Sequence, residues 1–257
     1  MQDLKVALIQ TRLYWENKAA NLSHLESHLE KVPSGTELII LPEMFNTGFS
    51  MNPKMFSEKM TGQGIGWLKT VSKQKKAVVI ASLIIEEKKK FHNRLIAMRP
   101  DGSFEYYDKR HLFRLAGEEK IYSEGSKKKS IIINGWKIAL FICYDLRFPV
   151  WVRSTNDTDC ILFIANWPEK RKDAWVSLLK ARAIENQAYV LGVNRVGKDG
   201  NGFPHSGDSS IYDPLGTCLE IRSNEECIIS HCLKKGHLIK TRESFPFYKD
   251  ADRFKLL

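Results

Sequence analysis

The sequence predicts a layered α/β sandwich built from mixed β-sheets. Short runs of buried, branched side chains alternate with amphipathic helices, a pattern typical of parallel strands that helices cover. Two further strand patterns flank the turn-forming residues 100–102, Pro-Asp-Gly, which indicates that antiparallel hairpins are mixed in. A chain of 257 residues, 43% hydrophobic and 11% aromatic, is sufficient for a single domain over residues 1–257.

In the first half of the chain, runs of branched apolar residues predict the strands, and the spacing of the leucines predicts a helix. Leu22, Leu25 and Leu29 share one face of a helix over residues 17–32, and a second helix is predicted over 67–75. His24 and His28 are four residues apart on the first helix, a spacing that can hold a metal. Because HLESH lacks the HExxH order, we predict a solvated helix side and no metal site. Strands are predicted over 5–10, 37–41, 77–84, 91–98 and 104–107.

The second half is organised around the apolar run 137–142, which is predicted to form a strand buried on both faces. A helix over 145–154 is predicted after it and a longer helix over 173–186. Further strands are predicted over 159–165, 189–196, 209–212 and 227–232. Residues 236–257 form a polar and aromatic arm that we expect to dock on the domain or on a partner subunit.

Composition excludes several classes of function. The net charge is +10, but the lysine-rich runs lack interleaved aromatic residues, so a solvated surface is predicted and no nucleic-acid partner. No apolar run is long enough to cross a bilayer, and the start MQDLKVALIQT lacks the pattern of a signal peptide, so we expect no membrane contact and a soluble, cytoplasmic protein. The five cysteines are scattered without a CxxC, which favours reduced thiols over disulfides or a zinc ribbon.

An acid, an amine and a thiol each follow a predicted strand: Glu43, Lys109 and Cys143. The carboxyl ends of strands are where sites assemble in α/β sheets, so these residues form a candidate constellation. Cys143 would also lie at the start of the helix predicted over 145–154, where a thiol pKa is lowered. Taken singly, each has an ordinary explanation: a turn cap, a solvated lysine and a small buried hydrophobe.

Together, the segments around these residues resemble the nitrilase, or carbon–nitrogen hydrolase, superfamily. The signature blocks are LPEMFNTGF at 41–49, YDKRHLF at 107–113 and CYDLRFP at 143–149. The similarity continues through IANWP at 164–168, ARAIENQAYV at 181–190, NRVG at 194–197 and HSGDSSIYDPLG at 205–216, and the bacterial ω-amidase-like branch has the most similar motifs.

The resemblance implies a four-layer αββα sandwich, the nitrilase fold, and usually a homodimer. It assigns a catalytic triad to Glu43, Lys109 and Cys143 and requires no cofactor. A further glutamate of the family pattern precedes the glycine of a YxxG segment by seven residues. That segment is 122–125 here and selects Glu118 over Glu119.

The ω-amidase branch hydrolyses the terminal amide of short dicarboxylate monoamides, such as 2-oxoglutaramate and 2-oxosuccinamate, to the acid and ammonia through a thioester. Such a substrate needs a cation for its distal carboxylate. Arg147 is one candidate, with a structural salt bridge as its alternative, and Arg171 and Arg114 are others. The backbone N–H of Tyr144 is predicted to help Lys109 stabilise the oxyanion. Aromatic walls, or equally core packing, are expected from Phe45, Phe113, Tyr144 and Trp167.

Four other functions stay open at this point. On the same triad, the enzyme could be a nitrilase or an N-carbamoyl amino acid amidohydrolase. A protein of this fold that only binds its ligand is disfavoured by the complete triad. A thiol redox protein is disfavoured because Cys160, the next cysteine after Cys143, falls on a predicted inner strand.

Overall fold

Two β-sheets packed face to face form the centre of the protein, whose computed structural model describes residues 2–153, 158–252 and 254. The first sheet contains β1 (Leu4–Gln10), β2 (Leu38–Ile40), β3 (Val78–Glu87), β4 (Lys90–Met98), β5 (Phe104–Asp108) and β13 (Cys227–Leu233). The second contains β6 (Ser130–Ile133), β7 (Trp136–Ile142), β8 (Cys160–Ala165), β9 (Tyr189–Asn194), β10 (Val196–Lys198), β11 (Pro204–Tyr212) and β12 (Cys218–Ser223). The helices are α1 (Lys18–Glu30), α2 (Pro53–Phe56), α3 (Gln63–Lys75), α4 (Pro149–Val152), α5 (Lys172–Asn186) and α6 (Lys235–Ser244).

Both sheets have a parallel centre and antiparallel edges. The first sheet has the order β13-β1-β2-β3-β4-β5, in which β1, β2 and β3 are parallel. The second has the order β10-β11-β9-β8-β7-β6, with β12 beside β11, and β7, β8 and β9 are parallel. Since β4 is antiparallel to both β3 and β5, β5 runs in the same direction as β2.

Successive side chains of a strand point to opposite faces of its sheet, so each strand contributes to two layers of the core. In β1, Val6 and Leu8 join the core between the sheets, whereas Ala7 and Ile9 face α1 and α3. On the other side, Trp175 and Leu179 of α5 pack on the second sheet. The order is therefore helices, sheet, sheet, helices, which confirms the predicted αββα sandwich. Among the described residues, no helix has the length and apolarity needed to cross a membrane.

The segment after β7 differs from its prediction. In place of a helix over 145–154, the chain forms a 3₁₀ turn, Cys143–Arg147, and then the four-residue helix α4. Pro149 explains the break, because a residue before proline is disfavoured in the α region and Phe148 has φ −112° and ψ 88°. Ser154, the last residue of the predicted helix, lies outside the described residues. The macrodipole of a long helix therefore does not act on Cys143.

The prediction of a solvated side on the first helix is also wrong. The side chains of His24 and His28 are only 18% and 12% exposed, and both rings face Glu226. Glu226 precedes β13 by one residue, so this contact joins segments about two hundred residues apart, which helix periodicity cannot show.

Candidate active site

The predicted acid, amine and thiol meet at the carboxyl ends of three strands. Glu43 follows β2, Lys109 follows β5, and Cys143 follows β7 in the facing sheet. The Lys109 ammonium lies 3.1 Å from Glu43 Oε1. All three residues line one cavity of about 560 Å³, in which Cys143 is half-buried and reachable from solvent. This volume suits a small-molecule substrate.

Glu118 completes a buried charge cluster with Lys109. Its two carboxylate oxygens accept hydrogen bonds from Lys109 Nζ at 3.1 and 2.9 Å, and the backbone N–H of Phe113 also donates to Oε2. The Glu118 side chain is fully buried and is not among the residues that line the cavity. It therefore orients the ammonium from the protein side, toward Glu43 and the cavity.

Two asparagines that the sequence did not single out hold Glu43. Asn93 Nδ2 donates to Oε1 at 2.7 Å, and the backbone N–H of Asn166 donates to Oε2 at 2.8 Å. The Asn166 side chain donates to the Glu43 carbonyl oxygen at 2.6 Å. Asn166 could have been found from the sequence, because it directly follows the predicted strand 159–165. Glu43, Lys109 and Cys143 were chosen because they also follow predicted strands. These bonds fix the carboxylate at the wall of the cavity that Cys143 also lines.

Cys143 lies on a strained turn between strand and 3₁₀ helix. Its φ is +44°, in the left-handed region that side chains other than glycine seldom occupy. The fully buried Asp145 secures the turn, because its Oδ2 accepts from the backbone N–H of Ile142 at 3.1 Å and from Tyr107 OH at 2.7 Å. Its Oδ1 accepts from the backbone N–H of His111 at 2.9 Å. Asp145 thus ties the thiol turn to the segment that carries Lys109.

The charges around the thiol determine its protonation state. Burial and the Glu43 carboxylate raise the pKa of Cys143 well above its ordinary value, although Lys109 lowers it. Burial lowers the pKa of Lys109, but Glu118 and Glu43 outweigh that effect and the pKa is raised. With two carboxylates around one ammonium, a further negative charge is disfavoured. The raised pKa of Cys143 favours the neutral thiol, in contrast to the lowered pKa predicted from the sequence.

The raised pKa of Cys143 has a measurable consequence. We expect alkylation by iodoacetamide to keep accelerating with pH beyond pH 9, because the thiolate is the nucleophile. Mass spectrometry of the Cys143 peptide at each pH measures the rate. Glu43→Gln removes a neighbouring negative charge and should shift the profile to lower pH. A wild-type rate that already levels off below neutral pH would show that Lys109 maintains a permanent thiolate.

The remaining predicted residues divide between cavity and core. Phe113, Tyr144, Trp167, Arg147 and Arg171 line the cavity. Phe45 does not, since it is fully buried in the core between the first sheet and its helices. Arg114 is exposed on a 3₁₀ turn and is not among the cavity residues.

Arg147 and Arg171 each place a guanidinium against an aromatic ring of the cavity. Arg147 lies 5.0 Å from the centre of the Trp167 ring, and Arg171 lies 5.2 Å from that of Phe113. Within residues 2–153, 158–252 and 254, no carboxylate is within salt-bridge distance of either arginine. The structural salt bridge considered for Arg147 is therefore absent from this part of the chain, and both cations are available to a ligand.

Comparison with known proteins agrees with this geometry. Residues 5–242 match the family model described as carbon-nitrogen hydrolase. The chain is 41% identical to omega-amidase YafV of Escherichia coli over the full length of both chains. It is 31% identical to 2-oxoglutaramate amidase of Bacillus subtilis, over 95% of this chain and 96% of that protein.

A solved structure gives the same result for the fold. A CN-hydrolase superfamily protein from Xanthomonas campestris, which carries an arsenic adduct in its active site, superposes with a TM-score of 0.97 at 37% identity over the whole of both chains. With the family match and these relatives, the chain belongs to the carbon–nitrogen hydrolase family, in the omega-amidase branch of the nitrilase superfamily.

Proposed function

We propose that the protein is a cysteine-dependent amidase that hydrolyses the terminal amide of short dicarboxylate monoamides, 2-oxoglutaramate and 2-oxosuccinamate among them. The observation that carries the proposal is the content of one cavity: a thiol with its acid and ammonium, and two guanidinium groups without carboxylate partners. An amide at one end and a carboxylate at the other match these two sets of groups.

Acylation follows from the positions of Glu43 and Lys109. Glu43 accepts the thiol proton as the Cys143 sulfur attacks the amide carbon, which forms the C–S bond and places negative charge on the carbonyl oxygen. The Lys109 ammonium and the backbone N–H of Tyr144 stabilise that oxygen, and one such donor is worth about 3 kcal/mol. Glu43 then returns the proton to the amide nitrogen, the C–N bond breaks, and ammonia leaves.

Deacylation uses the same groups in reverse. Glu43 takes a proton from water as the water oxygen attacks the thioester carbon, and the oxyanion is stabilised again by Lys109 and Tyr144. The C–S bond breaks, the sulfur recovers a proton from Glu43, and the dicarboxylic acid leaves. Glu118 keeps the ammonium oriented through both steps, because it holds Lys109 through both of its oxygens.

A substrate panel tests the proposal. We expect ammonia release from 2-oxoglutaramate to be at least about tenfold faster in kcat/KM than from butyramide, which lacks the distal carboxylate, because a hydrogen bond to a charged group is worth about 1.5–3 kcal/mol. Simple nitriles and N-carbamoyl amino acids should react more slowly still. A preference for either of those classes would overturn the substrate assignment while leaving the triad in place.

The two arginines provide matched variants for the same assay. Arg147→Ala or Arg171→Ala should raise KM for 2-oxoglutaramate while turnover of butyramide stays unchanged. Arg222→Ala, which removes an exposed arginine of β12 that does not line the cavity, is the control. Equal losses on both substrates would indicate a structural role for the arginine.

We also propose a homodimer that forms through the helical face of the second sheet, with the described part of the predicted arm 236–257, residues 236–252 and 254, packed on its own domain. The arm is held at Gln187, whose side chain donates to the Phe245 carbonyl at 2.6 Å. Nearby, Val150 of α4, Ile184 of α5 and Phe247 of the arm are about half or more exposed. An exposed apolar face of this kind is typical of subunit contacts. Sedimentation velocity measures whether the protein is a dimer in solution.

We also propose that the protein is located in the cytoplasm, because a nucleophilic thiol is kept reduced there.

A further inference from the structure

A cluster of two histidines and a glutamate lies outside the active site. His24 and His28 project from α1, and Glu226 comes from the loop between β12 and β13. The His24 Nε2 atom lies 2.9 Å from Glu226 Oε2, and the His28 Nε2 atom lies 3.6 Å from the same oxygen. The Thr11 hydroxyl contacts all three groups, at 2.7 Å from His24 Nε2, 3.3 Å from His28 Nε2 and 2.6 Å from Glu226 Oε2.

Topology explains why these residues meet. β1 and β13 are antiparallel neighbours, and their last pair is Gln10 with Cys227. The next residues along each strand, Thr11 and Glu226, are therefore opposite one another at the end of the ladder. α1 packs on this sheet, and residues four apart on a helix share one face. Both imidazoles consequently point at the carboxylate.

The arrangement has the dimensions of a metal site. One ligand atom from each of the three side chains lies within 4.8 Å of the others. Zinc binds histidine nitrogen and carboxylate oxygen at about 2.0–2.1 Å in tetrahedral geometry, which separates neighbouring ligand atoms by roughly 3.3 Å. The observed 2.9 and 3.6 Å lie on either side of that value. The third pair, the two Nε2 atoms, lies within 4.8 Å, and rotation of the imidazole rings would bring these atoms to the same separation when the ion binds.

The groups around the three ligands prepare them for a cation. His28 Nδ1 lies 3.2 Å from the carbonyl oxygen of His24, and an N–H donated there leaves the Nε2 lone pair free for a metal. Arg12 holds the second oxygen of Glu226, so Oε2 remains as a single ligand atom.

We propose that His24, His28 and Glu226 bind a divalent transition-metal ion, Zn²⁺ or a close substitute, with the Thr11 hydroxyl in the fourth position. The ligand set is two imidazoles, one carboxylate and one hydroxyl, which suits zinc better than magnesium or calcium. The ion cross-links α1 to the loop before β13. Its role is structural, because the site is built on the helical side of the first sheet and shares none of these ligands with the active-site cavity.

Metal titration of the chelator-treated protein tests the site. We expect one equivalent of Zn²⁺ to bind in competition with a chromophoric chelator and to raise Tm, because binding to the folded state alone stabilises it. Co²⁺ should show a visible spectrum without a thiolate charge-transfer band, which separates this site from the cysteines. His28→Gln and Glu226→Gln should each weaken Zn²⁺ at least about tenfold, since even an outer partner of a metal ligand is worth that much.

Histidine elsewhere supplies the matched control. His231→Gln changes a half-buried histidine of β13 and should leave the Zn²⁺ stoichiometry and the Tm shift unchanged. Glu226→Gln keeps the proposal testable if His28→Gln fails to fold, because Glu226 is in a loop. Absence of stoichiometric binding, a thiolate-type Co²⁺ spectrum or equal binding by the Glu226→Gln variant would overturn the site. The cluster would then be a network of shared protons through Thr11.

Discussion

Replacing Cys143 by serine is expected to abolish amide turnover while the fold stays intact. The two side chains have nearly the same volume, so the turn after β7 can keep its positive φ and its bonds to Asp145. The hydroxyl is a far weaker nucleophile, and Glu43 is placed to deprotonate a thiol, not an alcohol. We expect kcat to fall by at least about 10⁴-fold, as for nucleophiles in other hydrolases. Ammonia release measures it, and circular dichroism and Tm report the fold.

Cys218→Ser is the control for this variant, because Cys218 is an exposed cysteine on β12 and does not line the cavity. It should keep wild-type turnover. Rapid acid quench of the wild type with 2-oxoglutaramate should give a mass increase on the Cys143 peptide that corresponds to the acyl group minus the nucleophile's hydrogen. Activity of Cys143→Ser within tenfold of the wild type would show that another group attacks the amide.

The strand ends that carry the site were predictable because a run of branched, apolar residues marks each strand and a polar residue follows it. Branched, apolar runs identify β2 and β7, and the polar residues that follow are Glu43 and Cys143. Chain direction then places Lys109 with Glu43, since β5 and β2 run the same way. The sequence therefore predicted that these strand ends lie at the same edge of the fold. The structure places Lys109 Nζ 3.1 Å from Glu43 Oε1.

The protonation state of the thiol was not predictable in the same way. It depends on the sum of three charges and on burial, and the second carboxylate, Glu118, reaches Lys109 through a loop of irregular 3₁₀ turns. The sequence did contain one clue to the missing helix, Pro149, whose effect on Phe148 ends any helix that would include Cys143. The contact between His28 and Glu226 is purely tertiary, because it depends on the pairing of β1 with β13.

Lys109→Met should cost both activity and stability. Methionine keeps the length and apolar stem of lysine but leaves the carboxylates of Glu43 and Glu118 buried without a cation. Removing one partner of a buried ion pair costs about 3–5 kcal/mol of unfolding free energy. The rate should fall at least about 10³-fold, because an oxyanion donor is lost and Glu43 faces an uncompensated negative neighbour. Urea unfolding and ammonia release measure the two effects.

The pH dependence of Lys109→Met separates the electrostatic cause from simple mispacking. Burial already raises the pKa of Glu118, and Lys109 provides the main opposing effect. Without that ammonium the folded-state pKa rises further above the unfolded one, so the folded state binds the additional proton. Stability of the variant should therefore increase as the pH falls from neutral toward the unfolded-state pKa of glutamate, whereas mispacking would leave the wild-type slope unchanged.

Adding Glu118→Gln to Lys109→Met completes the test, because it removes one of the two unpaired buried charges. The double variant should recover part of the lost unfolding free energy and lose the part of the additional pH slope that comes from Glu118, while the unpaired Glu43 carboxylate remains. Turnover should stay low, since neither glutamine nor methionine supplies a cation to the oxyanion. Recovery of activity together with stability would mean that Lys109 acts only by neutralising Glu118, and the ammonium would then have no direct part in the chemistry at Cys143.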